Sequence, residues 1–308
     1  MNQPLASASG VLLVDKPAGI TSADVTNKLK KKFRFAKIGH GGTLDPFATG
    51  LLVVLLGEGT KAARFLLEGE KTYEAVAALG SETDTGDHTG EVAHTCPVPP
   101  LSLDDWSRAA LPFKGFLKQR PPAYSAVKVK GKALYEYARK GETVEVKDRE
   151  IHLRETTVLG ADDTSMRFRV VCSGGTYVRV LAADIAKAAG TCAHLRELTR
   201  TGSSSFRVED ALPLDTLLGL NDDQVPLLGL KTALAHLPQV VCNDFEAEKI
   251  RRGYLPVFDG MRPRIGKAGY FLVTLDRTGG PVAIANHHPM IEPFCSLERV
   301  FDPRLAEA

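Results

Sequence analysis

A single carboxylate, Asp45, stands in the segment "GHGGTLDPFATG" (39–50), which has glycines on both sides of it and Pro46 directly after it. The proline disfavours helical geometry at Asp45 and holds the backbone extended there. The apolar residues around Asp45 predict a site that excludes water. A carboxylate buried there either costs folding free energy or serves as a reacting group. The alternative is a turn in which the aspartate bonds a nearby N–H. These residues alone leave the two interpretations nearly balanced. We expect the glycines before Asp45 to let the backbone approach a bulky ligand.

A second candidate is Arg179 in "GGTYVRV" (174–180), where a strand turns on two glycines and a helix begins. A helix start of this kind often receives an anion. An arginine one turn into the helix could pair with a buried carboxylate, keep it ionised and orient it. A structural ion pair or a phosphate contact is the alternative. Tyr73 and Tyr177 are either ordinary strand aromatics or side chains that stack on an extruded base.

The sequence shows no recognised metal-binding pattern. His40 stands beside glycines without an HExxH motif or a Cys/His spacing, so no metal site is predicted there. The segment "SETDTGDHTGEV" (81–92) is interpreted as a polar turn, because it lacks the ligand spacing and closing glutamate of a calcium loop. The cysteines are scattered and never form a CxxC pair, which favours a reduced, cytoplasmic chain without a disulfide framework. They are Cys96, Cys172, Cys192, Cys242 and Cys295.

Composition excludes some classes of protein and leaves others open. The chain has 308 residues and a net charge of +2, and its first long apolar run, Leu51–Leu56, is too short to span a bilayer. The N-terminus lacks the pattern of a signal peptide, so no membrane association is expected. The distribution of charge is more informative. Residues 28–37 hold six Lys/Arg and no acid, and residues 114–154 hold eleven Lys/Arg against five acids. Two such clusters indicate a one-sided basic surface that contacts phosphates.

The candidate residues fall on a mixture of strands and helices. "KTYEAVAALG" (71–80) predicts a strand that carries Tyr73, and residues 166–190 predict a strand, a glycine turn and a helix that carries Arg179. "AHLRELTRTG" (193–202) predicts a helix. The last 70 residues predict a short helix and a hairpin with a Gly-Gly turn. Because there is no regular βαβ alternation, the fold class is α+β.

Taken in order, these segments resemble the bacterial TruB-type tRNA pseudouridine synthases, which convert the T-loop uridine at position 55 to pseudouridine. The resemblance covers roughly residues 10–215 and, more weakly, the C-terminal module. It is carried by "DKPAGITS", "GHGGTLDPFATG", "KTYEAVAALGSETDTGDHTGEV", "PPAYSAVKVKGKALYEYARKGETVE", "GGTYVRVLAADIA" and "AHLRELTRTG". It implies a mixed central sheet with flanking helices, no metal and no cofactor. It also implies a catalytic domain over 1–235 with an RNA-gripping insertion at about 114–154, and a PUA-like RNA-binding domain over 236–308.

The resemblance assigns roles residue by residue. It implies that Asp45 is the catalytic aspartate, that Arg179 pairs with it and that Tyr73 stacks on the target base. The residues implied to bind substrate are His40, which helps hold the T-loop open, and Tyr177 and Leu198, which line the uracil pocket. The expected RNA contacts come from the basic insertion and from a basic helix and turn in the C-terminal module; they are Lys128, Lys130, Lys132, Arg251 and Arg252. Glu197 departs from the family pattern, since relatives usually carry a basic residue there.

A lone carboxylate suits this reaction, because no water attacks and the pair of acids found in glycosidases is not needed. It could add at C1′ or remove the 2′ proton, and the sequence does not choose between them. The expected partner is the T-stem-loop of tRNA, bound by a monomer without an obligatory protein partner. The alternatives are an enzyme of a guide-RNA particle and a tRNA-binding or tRNA-folding protein without catalysis.

Overall fold

A computed structural model describes residues 5–142 and 144–302. The outer limits of the two predicted domains, residues 1 and 308, and Thr143 in the predicted insertion lie outside the described residues. The strands, in chain order, are β1 Gly10–Lys16, β2 Ile38–Gly41, β3 Thr49–Leu56, β4 Lys71–Leu79, β5 Ser81–Thr83, β6 Val92–Thr95, β7 Gly115–Gln119, β8 Lys128–Val129, β9 Lys132–Ala133, β10 Arg149–Ala161, β11 Ser165–Cys172, β12 Ala193–Ser203, β13 Phe206–Arg207, β14 Leu212–Pro213, β15 Gln239–Cys242, β16 Gly269–Leu275, β17 Pro281–His287 and β18 Cys295–Val300. The α-helices are α1 Ser22–Phe33, α2 Ala63–Leu67, α3 Leu103–Ala110, α4 Leu134–Ala138, α5 Val178–Ala188, α6 Leu214–Gly219, α7 Leu230–Ala233, α8 Asp244–Arg251 and α9 Val257–Met261.

The large sheet has the order β14-β1-β3-β12-β4-β11-β10-β7, with β2 paired to β3 and β13 paired to β12. It is mixed, because β1 runs parallel to β14 and β3 runs parallel to β12, whereas its other pairs are antiparallel. The prediction of a mixed central sheet is therefore confirmed. The topology places β3, β12 and β4 side by side, so the residues at their adjoining ends meet in one place.

Helices pack against this sheet. α3 and α5 pack on a core that contains Trp106 and Phe168, both almost completely buried. α1 packs Val25, Leu29 and Phe33 against a second core on β1 and β3. Thr21 caps α1 through a capping box with Asp24. The apolar sides of these helices are what fix α5, and with it Arg179, against the sheet.

The segment 193–203 is a strand and not the predicted helix. Leu195 and Leu198 are both buried, and their spacing of three residues is typical of a helix. In the structure a β-bulge between Leu195 and Glu197 shifts by one residue the alternation of side chains between the two faces of the sheet. As a result, Leu195 and Leu198 both point into the core. The bulge therefore gives a central strand the apolar spacing of a helix.

The predicted insertion is partly built into the sheet. Its ends form β7 and the start of β10, which pair with each other from Arg149↔Gln119 to Leu153↔Gly115. Among the described residues of the insertion, 120–142 and 144–148 leave the sheet, and they contain the β8–β9 hairpin and the short helix α4. The hairpin is held to α4 by the hydrogen bond that the Tyr137 hydroxyl donates to the Val129 carbonyl.

The C-terminal part forms its own four-stranded sheet in the order β15-β16-β17-β18. The predicted short helix and hairpin are present as α8 and β16–β17. Leu272, Ile284 and Phe301 from this part share a core with Phe65 and Phe206 of the first part. The small β-rich module is thus packed directly on the larger unit.

Two cysteines depart from the expectation of a fully reduced chain. Cys96, just after β6, and Cys192, just before β12, form a disulfide with a Cα–Cα distance of 5.8 Å. The sequence places them 96 residues apart, and only the folding of the β5–β6 hairpin onto the sheet brings them together. Cys172, Cys242 and Cys295 are free and buried. In the described part of the chain, no helix is long and apolar enough to cross a membrane.

Candidate active site

Asp45 lies in the connection between β2 and β3, which is anchored on both sides of the carboxylate. Before it, the Leu44 N–H donates to the Ser22 hydroxyl at 2.9 Å. After it, the Pro46 carbonyl accepts from the Gly19 N–H at 2.8 Å and from Lys16 Nζ at 3.2 Å. These bonds tie the loop to the start of α1 and to the end of β1.

The glycines of this loop make room for the protein's own side chains. A Cβ on Gly41 would lie 2.0 Å from Cδ2 of Leu67. Gly42 has a φ of +74°, and a Cβ on it would lie 3.3 Å from Nη1 of Arg200. The expectation that these glycines let the backbone approach a bulky ligand is not supported at Gly41 and Gly42, where internal packing already requires glycine.

Arg179 and Asp45 form a two-point ion pair. Arg179 Nε lies 3.0 Å from Asp45 Oδ2, and Nη2 donates to Oδ1 at 3.4 Å. The arginine comes from the first turn of α5 and is 4% exposed. Within the described residues, the Asp45 carboxylate accepts no bond from a backbone N–H, so the turn interpretation does not account for its side chain. The geometry favours a carboxylate that is held and aimed by a fixed cation.

The remaining donors of Arg179 are also occupied. Nη1 donates to the Thr85 carbonyl at 2.6 Å, Nη2 donates to the Tyr124 carbonyl at 2.8 Å, and Nη1 lies 3.5 Å from Oδ2 of Asp87. Asp87 is itself buried in the loop after β5. The segment 81–92, which sequence analysis interprets only as a polar turn, therefore supplies part of the support for Arg179.

The ion pair borders a cleft of about 520 Å³. Tyr73 on β4, Tyr177 at the N-terminus of α5 and Leu198 on β12 line the same cleft. The main chain of Tyr177 is fixed by the Gln119 amide, which accepts its N–H at 2.8 Å and donates to its carbonyl at 3.1 Å. The structure thus brings together five of the predicted site residues, which come from four separate segments of the sequence.

The other predicted residues lie around this centre or away from it. Lys128 lines the cleft, whereas Lys130 and Lys132 are exposed in the same hairpin. His40 is on β2 opposite Val54, and no partner for its buried Nδ1 occurs among the described residues. The basic residues of the C-terminal module end α8: Arg251 is half-buried, and Arg252 is exposed and pairs with Glu248 at 2.8 Å.

Burial shifts the pKa values of three of the predicted site residues. Burial raises the pKa of Asp45, and the charge of Arg179 opposes that rise. Burial also raises the pKa of Tyr73, so its phenol stays protonated at neutral pH. Burial lowers the pKa of His40, with a smaller contribution from the charge of Arg200, so this imidazole is neutral near pH 7.

Two buried cations beside the cleft were not predicted from the sequence. Lys16 is fully buried, and its ammonium donates to the carbonyls of Pro17 and Ile20 at 2.8 Å as well as to Pro46. Arg200 is 1% exposed and lines the cleft behind Tyr73. Both stand in motifs that carry the family resemblance, "DKPAGITS" and "AHLRELTRTG". For Lys16 the available signal was a basic residue at the end of an apolar strand. Arg200 gave no such signal, because its segment was predicted as a helix.

Lys16 predicts a specific dependence of stability on pH. Burial lowers its pKa from 10.5 to about 8, so between those values the unfolded chain binds more protons than the folded protein. Stability therefore rises with pH across this window, as the cost of burying the charge is relieved. We expect the free energy of unfolding of the wild type to gain on the order of 3 kcal/mol relative to Lys16→Met between pH 8 and pH 10.5.

Urea unfolding at pH values from 7.5 to 10.5 measures this difference. Lys30→Met, which replaces an exposed lysine on α1, is the matched control and should follow the wild type in parallel. Parallel curves for the wild type and Lys16→Met would contradict the assignment.

Comparison with known proteins identifies the family. A family profile described as TruB family pseudouridylate synthase (N terminal domain) matches residues 30–178. A protein of Neisseria meningitidis serogroup A named tRNA pseudouridine synthase B is 41% identical over 253 residues, which cover 82% of this chain and 82% of that protein. The chain belongs to the TruB family of pseudouridylate synthases. A second relative of the same name, from Psychrobacter cryohalolentis, is 44% identical over 245 residues, covering 78% of this chain and 66% of the relative.

A solved structure shares the fold over almost the whole chain. A chain in the crystal structure of a Cbf5-Nop10-Gar1 complex superposes with a TM-score of 0.73 and 26% identity, covering 99% of this chain and 89% of that one. The predicted family and its fold are therefore confirmed, including the small β-rich C-terminal unit. Within residues 5–142 and 144–302, no group of three or more His, Cys, Asp or Glu side chains is placed to hold a metal ion.

Proposed function

We propose that this TruB-family chain isomerises the T-loop uridine at position 55 of tRNA to pseudouridine, with Asp45 as the reacting group. The observation that carries this proposal is the two-point contact of Asp45 with Arg179 at the edge of an open cleft. The relatives named tRNA pseudouridine synthase B support tRNA as the substrate. The proposed enzyme acts without a metal or a cofactor.

The cleft suits an extruded nucleotide. A uridine inside the T-loop must leave its stack before it can react, which costs a few kcal/mol. Stacking on Tyr73 and contact with Leu198 and Tyr177 offset that cost once the base is in the cleft. We assign His40 to holding the opened T-loop, since it lies on β2 at the start of the Asp45 loop.

The proposed chemistry uses one carboxylate. The C1′–N1 bond breaks, the uracil turns while it is held in the cleft, and C5 bonds to C1′. The C5 proton then leaves to water or with the help of Tyr73, and N1 takes up a proton, so that the base remains neutral. Asp45 either adds at C1′ or removes the 2′ proton. Arg179 keeps Asp45 ionised against the effect of burial on its pKa. No second carboxylate has to activate water, because the base and not water ends up on the sugar.

We assign residues 1–235 to the catalytic domain and 236–308 to a PUA-like RNA-binding domain, in which Arg251 and Arg252 contact RNA. We further propose that the protein acts in the cytoplasm as a monomer, without an obligatory protein partner. The guide-RNA-particle alternative is less well supported, because the relatives that share 41% and 44% identity are named as tRNA enzymes. A binding protein without catalysis would not require the Asp45–Arg179 pair.

The direct test is mass spectrometry of tRNA from a strain that lacks its own position-55 activity. Complementation with the wild type should restore pseudouridine at position 55, and complementation with Asp45→Asn should not. Unmodified uridine at position 55 in the strain complemented with the wild type would contradict the proposal.

The hairpin lysines should bind RNA mainly through phosphates. We expect the triple substitution of Lys128, Lys130 and Lys132 by alanine to weaken tRNA binding and to lower the slope of log K against log salt by about 2 to 3. Filter binding from 50 to 300 mM salt measures the slope. Lys187→Ala, an exposed lysine at the end of α5, is the control and should leave the slope unchanged. An unaltered slope in the triple variant would remove the hairpin from the RNA interface.

A further inference from the structure

Arg200 has a place in the site that no step of the proposed chemistry yet uses. It lies within β12 and is 1% exposed, yet its guanidinium bonds to neutral backbone carbonyls. Burying a charge among such acceptors costs free energy, since they replace water without supplying a counter-charge. The burial of this charged side chain therefore needs an explanation, and the positions of its hydrogen-bond acceptors supply one.

Two hydrogen bonds of Arg200 reach opposite ends of the Asp45 loop. Nη2 donates to the Gly42 carbonyl at 2.9 Å, before Asp45, and Nε donates to the Leu51 carbonyl at 2.8 Å, after it. The backbone of Arg200 is at the same time the cross-strand partner of Tyr73 on β4. One residue thus touches the loop that presents the carboxylate and the strand that presents the tyrosine.

We propose that Arg200 is a positioning residue, which fastens both ends of the Asp45 loop to the strand beside Tyr73 and so fixes the carboxylate relative to the base-stacking ring. This inference rests on the proposed function, because it concerns the geometry of that reaction. It assigns Arg200 no contact with the substrate.

The geometry requires arginine in particular. A guanidinium has rigid, divergent donors that reach two carbonyls at once, whereas a lysine ammonium is a single point on a flexible stem. Gly42 is adapted to the same contact, since its φ is +74° and a Cβ there would lie 3.3 Å from Arg200 Nη1. A side chain at either position that breaks this fit should displace the loop.

Arg200→Lys keeps the charge and removes the two-ended attachment. We expect its single-turnover rate at saturating enzyme to fall about 100-fold, because small misplacements of a reacting group have effects of this size. Its Kd for a T-stem-loop RNA should stay within about threefold of the wild type, since the phosphate contacts are untouched. Arg196→Lys, an exposed position on the same strand, is the matched control and should keep both values.

Thermal unfolding of each variant separates positioning from a loss of folded protein. A wild-type rate in Arg200→Lys, a rate loss equal to the loss of folded fraction, or a rise in Kd that accounts for the loss would each overturn the proposal. If Arg200→Lys does not fold, Gly42→Ala decides, with the same rate loss at unchanged Kd expected and an unchanged rate contradicting it. Failure of the proposed function is distinguishable, because then the wild type itself forms no pseudouridine.

Discussion

Asp45→Asn is expected to lower the rate of pseudouridine formation by at least about 10³-fold. Asparagine has nearly the same shape as aspartate, but its amide neither attacks C1′ nor takes the 2′ proton. Removing a group that reacts covalently or transfers a proton has effects of this order. The rate is measured by release of tritium from a T-stem-loop RNA that carries 5-³H-uridine, and the product is located by carbodiimide treatment and primer extension.

The same substitution should not destabilise the protein at neutral pH. Burial raises the pKa of Asp45, so the folded state holds the proton of this group more tightly than the unfolded chain does. The ionised carboxylate therefore costs stability above its folded pKa, and this cost is absent at low pH, where the group is protonated in both states. We expect the Tm of Asp45→Asn at pH 7 to equal or exceed that of the wild type.

Two further measurements make the result decisive. RNA binding by Asp45→Asn should remain close to that of the wild type, because the proposed phosphate contacts lie elsewhere. Asp163→Asn, in the exposed turn between β10 and β11, serves as the control and should keep full activity. A fully active Asp45→Asn would remove the carboxylate from the mechanism.

The parts of the site that could be predicted are those fixed by local pattern. The strand that carries Tyr73 has a β-rich, partly alternating sequence, and the turn before Arg179 combines a strand end, two glycines and a helical pattern. Both predictions are confirmed. The pairing of Arg179 with Asp45 came from the family resemblance, because 134 residues separate them and no local pattern connects their positions.

The remainder depended on contacts that only the fold creates. The sequence predicts Asp87 only as part of a polar turn. Its contact with Arg179 forms only in the folded protein, where the loop after β5 lies beside α5. The bulge in β12 produced a false helical period around Leu195 and Leu198. The role of Arg200 could not be predicted from the sequence either. An arginine in a strand is typically solvent-facing, and only the structure shows that this one is buried and bonded to the Asp45 loop.

Arg179 substitutions should have the second large effect and should separate charge from geometry. Arg179→Lys retains a cation but cannot make the two-point contact with Asp45 while also bonding the carbonyls of Thr85 and Tyr124. We expect its rate to fall by about 10² to 10³-fold with the protein still folded. Single-turnover assays at saturating enzyme, together with thermal unfolding, measure both quantities.

Arg179→Ala should in addition lose stability, by about 3–5 kcal/mol, because it leaves Asp87 buried without its cation. Asp87→Asn is the companion variant, since it keeps a polar partner for Arg179 and leaves the Asp45 contact in place. Its rate should fall less than about tenfold, because the reacting pair is intact. If Asp87→Asn lost as much activity as Arg179→Lys, the support of the arginine and not its contact with Asp45 would limit the reaction. If Arg179→Lys kept the wild-type rate, a point charge near Asp45 would suffice, and the two-point contact would have no catalytic role.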